Sequence, residues 1–384
     1  MVVRLPIHRV LYLAGTDIVV AAFGNHFLAA NARTGEVVAA PKSVIAAQAA
    51  ASSAHAIDDE EFPTSTILHL AFHSQTHQLA VSADNKQLIC WDVRTWKKLS
   101  SRISIKRASC LSFSKDGAKL IIGDKFGDVY TFKSNNASDK EALILGHVSL
   151  LTSMTLTHDG NYILTADRDE KVRVSRFPLA FDIVQFCLGH EKFVSAIHIP
   201  AFAPDLLISG GGDQFLLTWN FMAGRIVQKI PLDELEGQVA VSAIESHAAT
   251  KVVAVILDSL KKVLLYDAAD STNLKLIQKL DLPTDPLHVC FDNDGHLWIA
   301  LAPRPEGNLV EIARYTAGTF AISPSDPVLS QINTIPTPGG ETVPDFYTAT
   351  KLRKAEGHPP GHAKRKPPTN TPKAKAKRAK KANQ

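Results

Sequence analysis

LGHVSLLTSMTLTHDGNYILTADRDEKVRVSRF, Leu145 to Phe177, is followed by LGHEKFVSAIHIPAFAPDLLISGGGDQFLLTWN, Leu188 to Asn220. The two stretches are consecutive copies of one unit. Gly146-His147 returns as Gly189-His190, Thr165 as Ser209 and Asp169 as Asp213, and Ser175 stands where Trp219 does, at offsets of 43 or 44 residues. Within each copy, short β-rich apolar runs are broken by turn residues such as His158-Asp159-Gly160. That is the signature of four antiparallel strands in one blade of a propeller. The repeated polar residues have a place in such a blade. His147, Thr165 and Asp169 in the first copy, and His190, Ser209, Asp213 and Trp219 in the second, are expected to join in a buried hydrogen-bond network. Polar groups that fold inward need partners of this kind.

The period is that of a WD repeat, and counting outward from the two clear units gives seven. Blade one spans Ile7 to Val38, blade two Thr66 to Leu99 with the dipeptide Trp91-Asp92, and blade three Ile103 to Lys133. Blade six runs from Val239 to Asp267, and blade seven from Leu287 to about Tyr315. A strand near Val2 to Pro6 is expected to complete the last blade and close its edge. The expected fold is therefore all-β: a seven-bladed WD-repeat propeller over residues 1–330. Residues 42–65, rich in Ala and Ser, form a low-complexity insertion between blades one and two. It has no apolar stripe and is expected to be solvated. Residues 331–350 read as a Pro/Gly linker, and 351–384 as a disordered basic tail.

At 45% hydrophobic and 21% charged, the chain of 384 residues can bury a large core. No run is long and apolar enough for a membrane span, and no basic start precedes an apolar one, so a soluble intracellular protein is expected. Cys90, Cys110, Cys187 and Cys290 lie far apart with no metal-ligand spacing. The net charge of +4 hides a split: residues 351–384 hold twelve Lys or Arg against one acid, Glu356, so the body is acidic. In that tail Lys364, Arg365, Lys366, Lys377 and Arg378 form separated clusters. They suit nuclear import, or salt-sensitive contact with RNA phosphates.

Catalytic motifs are wanting. His190, Ser209 and Asp213 have the residue types of a hydrolase triad, but the repeat assigns them to blade-internal bonding, and a triad is defined by geometry. Gly210-Gly211-Gly212 sits in a strand-to-strand turn with no following helix and no phosphate-loop spacing. No catalytic residue, metal site, cofactor or small-molecule substrate of the chain's own is expected. One surface feature exceeds what a turn requires: ADRDEKVRVSR, Ala166 to Arg176. Alternation places Lys171, Arg173 and Ser175 on one strand face and Val172 and Val174 on the other. Asp-Gln-Phe-Leu-Leu-Thr occupies the same place in blade five, so the fold does not impose these charges. A mixed-charge docking surface is expected, with Lys125 in the matching turn of blade three on the neighbouring rim.

LGHVSLLTSMTLTHDGNYILTADRDEKVRVS, FCLGHEKFVSAI, SGGGDQFLLTW and GDKFGDVYTF together resemble the non-catalytic WD-repeat subunit of the tRNA (guanine-N7-)-methyltransferase, fungal type. The resemblance is specific from about Ile103 to Val227 and looser in the other blades. It implies a heterodimer in the nucleus. In it the propeller has no active site, binds and stabilises a catalytic subunit that holds S-adenosylmethionine, and helps position tRNA for N7-methylation of a variable-loop guanine. It further implies that Lys125, Glu170 and Arg173 grip that subunit, with Asp167, Arg168 and Lys171 as neighbours. Phe126 departs from the signature, which tolerates a small residue there. The alternative is a WD-repeat adaptor of another nuclear complex, in ribosome assembly or chromatin.

Overall fold

Seven sheets follow one another along the chain, six of four antiparallel strands and the first with a fifth strand added in parallel, in a computed structural model that describes residues 6–47, 53–232, 239–304, 307–323, 325–334 and 352. Blade four shows the plan, with strands Leu151–Leu156, Tyr162–Asp167, Lys171–Arg176 and Ile183–Leu188 from the axis outward. Both faces of a blade meet a neighbour, so the middle strands are apolar throughout rather than alternating, as Val252–Asp258 is in blade six. One apolar cluster fills each junction between blades. Val174, Leu217 and Trp219 meet between blades four and five, and Val10, Val19, Trp298 and Ile312 join the last blade to the first. Burial at these junctions supplies the driving force and fixes the ring.

Each inner strand begins with a register shift, as between Leu151 and Ser153. The bulged residues in chain order are His8, Leu68, Ser109, Thr152, Ser195, Ser242 and Leu287. All seven line one cavity at the mouth of the axial channel. Several bind across to the next blade: the His8 Nε2–H donates to the Ile67 carbonyl (2.6 Å), Thr152 Oγ1 to Val194 O (2.5 Å), and Ser195 Oγ to Val241 O. Bulges thus turn a repeated ladder defect into a ring of stitches.

The ends differ from the sequence expectation. Blade seven takes its fourth strand from Thr319–Ile322, so the ring needs no strand from the N-terminus; residues 1–5 lie outside the described residues. The insertion at 42–65 is partly packed rather than solvated. Lys42–Ala47 is helical with Val44 buried, His55–Ile57 pairs parallel to Val37–Pro41, and Ile57 and Phe62 are buried. These three apolar residues are spaced irregularly, which is why no stripe announced them. Phe62 also explains blade two, where no histidine precedes the first strand. Its ring and Phe27 surround Trp91, and the indole Nε1 of Trp91 has no hydrogen-bond partner among the described residues.

The body also runs past residue 330. Leu329 and Ile332, on the helix Leu329–Asn333, enter the junction of blades one and seven, and the Asn333 amide bonds Leu309 N, Val310 N and Val310 O. Of the expected linker and tail, 335–351 and 353–384 lie outside the described residues, including Lys364, Arg365, Lys366, Lys377 and Arg378. Leu352 is described, and it is buried beside Phe193 and Ala240.

Blade five shows how a complete polar network is spent. His190 Nδ1 meets Asp213 Oδ2 at 2.8 Å, its Nε2 meets Ser209 Oγ at 2.7 Å, and Trp219 Nε1 donates to that same oxygen at 2.8 Å. Ser209 and Trp219 are wholly buried, so no substrate reaches the hydroxyl. Gly211 explains the glycine run: a methyl group there would collide with the Phe193 carbonyl oxygen of the adjacent strand. Trp219→Phe removes one buried donor and, with its smaller ring, leaves a small cavity. It is expected to cost about 1–3 kcal/mol, read as a lower urea midpoint with an unchanged slope.

Candidate functional site

The second-to-third-strand turns open on the same face as the channel mouth, because Asp167 pairs with Leu151 at the start of the inner strand. In blade four, Asp167 organises the turn. Its Oδ1 accepts the N–H of Asp169 (2.9 Å) and of Lys171 (3.1 Å), and its Oδ2 meets His147 Nδ1 at 3.0 Å. His147 Nε2 then reaches Thr165 Oγ1 at 2.7 Å. The carboxylate of this network is therefore Asp167 and not Asp169, and Asp167, at 3% exposure, is no surface contact. Backbone position misleads here. Glu170 and Gln214 both have positive φ (75° and 62°), which aligns Asp169 with Asp213. Blade five has Gly211 where blade four has Asp167, so only there must the later aspartate reach the histidine.

Blade three repeats the blade-four turn. Asp124 Oδ1 accepts the N–H of Phe126 (2.7 Å) and Asp128 (3.1 Å), which puts Lys125 in the place of Arg168. Lys125, Glu170 and Lys171 are exposed. Arg168 is half-buried, and its Nε donates to the Leu352 carbonyl at 2.8 Å. Arg173 corrects the expectation that it stands on the rim. It is 6% exposed and donates from Nε to Ser175 Oγ (2.8 Å), from Nη1 to Gly146 O (3.0 Å) and from Nη2 to Ala180 O (2.8 Å). Ser175 leaves open the volume that Trp219 fills in blade five, and the guanidinium two residues away on the same face occupies it.

Sequence reasoning missed the apolar half of this rim. Phe126 is 55% exposed, Ile105 57%, and Val148 fully exposed. They lie together: Lys106 Nζ stands 4.5 Å from the centre of the Phe126 ring, and His147 N donates to Gly127 O. Single apolar residues in loops are commonplace, so only their convergence carries a signal. The rim thus combines Ile105, Phe126 and Val148 with the charges of Lys106, Lys125, Glu170 and Lys171. Among the described residues no His, Cys, Asp and Glu group could hold a metal ion, and no helix is long and apolar enough to cross a membrane.

The sequence profile of the family described as "tRNA methyltransferase TRM82 WD40 domain" matches residues 33–142 and 133–314. The zebrafish (Danio rerio) tRNA (guanine-N(7)-)-methyltransferase non-catalytic subunit wdr4 is 35% identical over 252 residues, covering 63% of this chain and 61% of the relative. The corresponding trm82 subunit of Aspergillus oryzae is 31% identical over 374 residues, 76% of each chain. The chain thus spans about three fifths of the length of the animal relatives and three quarters of the fungal one. Among solved structures, the Cps50 (Swd1) propeller of Myceliophteria thermophila superposes with TM-score 0.64 at 9% identity, covering 77% of this chain and 93% of that one. U3-55K gives 0.63 at 17% identity, covering 79% and 91%. At those identities the likeness is one of fold alone.

Proposed function

Because this chain belongs to the tRNA methyltransferase TRM82 WD40 domain family, we propose that it is the non-catalytic subunit of a heterodimeric tRNA (guanine-N7-)-methyltransferase. Its partner is a catalytic subunit that holds S-adenosylmethionine and methylates a guanine of the tRNA variable loop, while the propeller brings no cofactor of its own. The observation that carries this reading is the Aspergillus oryzae relative, named a non-catalytic subunit of that enzyme and alike over 76% of both chains. The rim of blades three and four supports it. An exposed aromatic and two aliphatic groups supply area, and Lys125, Glu170 and Lys171 supply register and selectivity against wrong partners. A closed ring holds those turns rigidly, so little order is lost when the partner docks. The basic tail suits import into the nucleus and contact with tRNA.

The experiment is co-expression with the catalytic subunit, followed by tRNA methylation with each chain omitted in turn. Full activity without this chain overturns the reading in favour of an adaptor for another assembly. Within the complex, Lys125→Glu combined with Glu170→Lys is expected to weaken association by about tenfold or more, since close interfacial charge pairs couple strongly. Both side chains are exposed, so the melting curve of the single chain stays put. Undiminished co-purification of that double variant, and of Phe126→Asp, would place the partner on another face.

A further inference from the structure

The channel mouth holds a cavity of about 400 Å3, in the size range of small-molecule sites. Its walls are chemically lopsided. Blades one to three contribute the permanent cations Arg9, Arg107 and Lys125. Arg107 is half spent on Asp84, at 2.8 Å. Arg9 is held by its Nε, which donates to the Leu68 carbonyl at 2.9 Å, and meets no carboxylate among the described residues. A desolvated guanidinium without a counter-charge is costly, and a bound anion would offset that cost. His8 and His69 stand beside it, but burial pulls them down to about 4 and about 3, so they are neutral near pH 7 and add no charge.

The opposite wall only accepts. Thr152 and Ser195 have already given their hydroxyl hydrogens to the carbonyls of the next blade, and Ser242 gives its own to Ile256 O at 3.2 Å. Their oxygens therefore offer lone pairs to the cavity. An inorganic anion alone satisfies one wall and leaves the other facing it with like polarity. The complement of both walls is a molecule with a phosphate at one end and O–H donors at the other.

We propose that the channel mouth is a binding site for a small phosphorylated polyol. Its phosphate lies against Arg9, Arg107 and Lys125, and its hydroxyls donate to Thr152, Ser195 and Ser242. The site shares Lys125 with the docking rim but needs only this chain, so it is tested without the partner.

The test is calorimetry on the full chain in phosphate-free buffer, with D-ribose 5-phosphate, inorganic phosphate and D-ribose as separate probes. Ribose 5-phosphate is expected to bind saturably, inorganic phosphate about tenfold or more weakly, and ribose undetectably. Arg107→Gln, which sits at the rim, is expected to lower the ribose 5-phosphate affinity about tenfold without moving the melting curve. Arg9→Met is expected to lower it further. No saturable binding of ribose 5-phosphate at millimolar concentration overturns the site, as does an affinity indifferent to Arg107→Gln. Equal affinity for the two phosphates overturns the two-walled assignment.

Discussion

Arg173→Glu will destabilise the propeller itself, with the melting temperature falling on the order of 10 °C, whether or not a partner is present. The guanidinium is sealed between blades three and four, and each of its three partners, Ser175 Oγ, Gly146 O and Ala180 O, accepts a hydrogen bond. A carboxylate there faces acceptors with an acceptor and buries a charge with no counter-ion. Breaking a buried charged network by removing one member costs roughly 3–5 kcal/mol, a large part of the stability of an ordinary domain. Arg173→Lys keeps the charge but loses the fork and should fall between. The measurement is a urea or thermal melt of the single chain beside Glu170→Lys, whose side chain is exposed and whose melt should match the parent. An Arg173→Glu chain that melts with the parent would mean that the side chain is at the surface after all.

That result bears on what a sequence can reveal. The repeat was readable because each blade needs the same turn and the same strand spacing, and because Gly-His returns at one period in blades four and five. The number of blades and the absence of a phosphate loop followed from the same spacing. Alternation along Lys171 to Arg176 correctly sorts side chains by face, but in a propeller both faces of an inner or middle strand meet another blade. The face of Arg173 is therefore not solvent, and nothing local to ADRDEKVRVSR says so. The choice between Asp167 and Asp169 is of the same kind. Both fit the turn, and the outcome depends on whether the residue closing the second strand has a side chain. The packing of Phe62 and Leu352 depends on contacts with distant parts of the chain, which local pattern does not encode.

Lowering the pH from about 7 to about 5 is expected to remove several kcal/mol of stability, most of it through histidines outside the repeated networks. Burial pulls His8 and His198 down to about 4 and His69 to about 3, and it holds His288 well below 6.5. The charge of Arg9 deepens the effect at His69 and His288. These groups stay neutral in the folded chain while the unfolded chain protonates them below about pH 6.5. The unfolded state thus takes up more protons, and stability falls with pH until the folded values are reached. Each histidine contributes up to about 1.4 kcal/mol per pH unit, so four of them set an upper limit of roughly 8 kcal/mol at pH 5.

Two carboxylates mark the edges of that window. Burial raises Glu245 to about 7, so the folded chain binds its proton first, and acidification returns about 2 kcal/mol over the same range. Burial also pushes the Asp213 carboxyl up, but His190 and the backbone N–H groups of Glu191 and Phe215 outweigh it and leave that group below its usual value. Its contribution is lost only under about pH 4, outside the window. His69, His198 and His288 keep partial exposure, which trims their share further. The net loss is still comparable with the whole stability of many domains. Urea titrations at a series of pH values give the slope directly. His198→Gln can keep a hydrogen bond to Ser246, which His198 meets at 2.8 Å, and should lower the proton uptake on unfolding by nearly one. A stability that stays level between pH 7 and 5 would mean that these imidazoles protonate as freely in the ring as in the open chain.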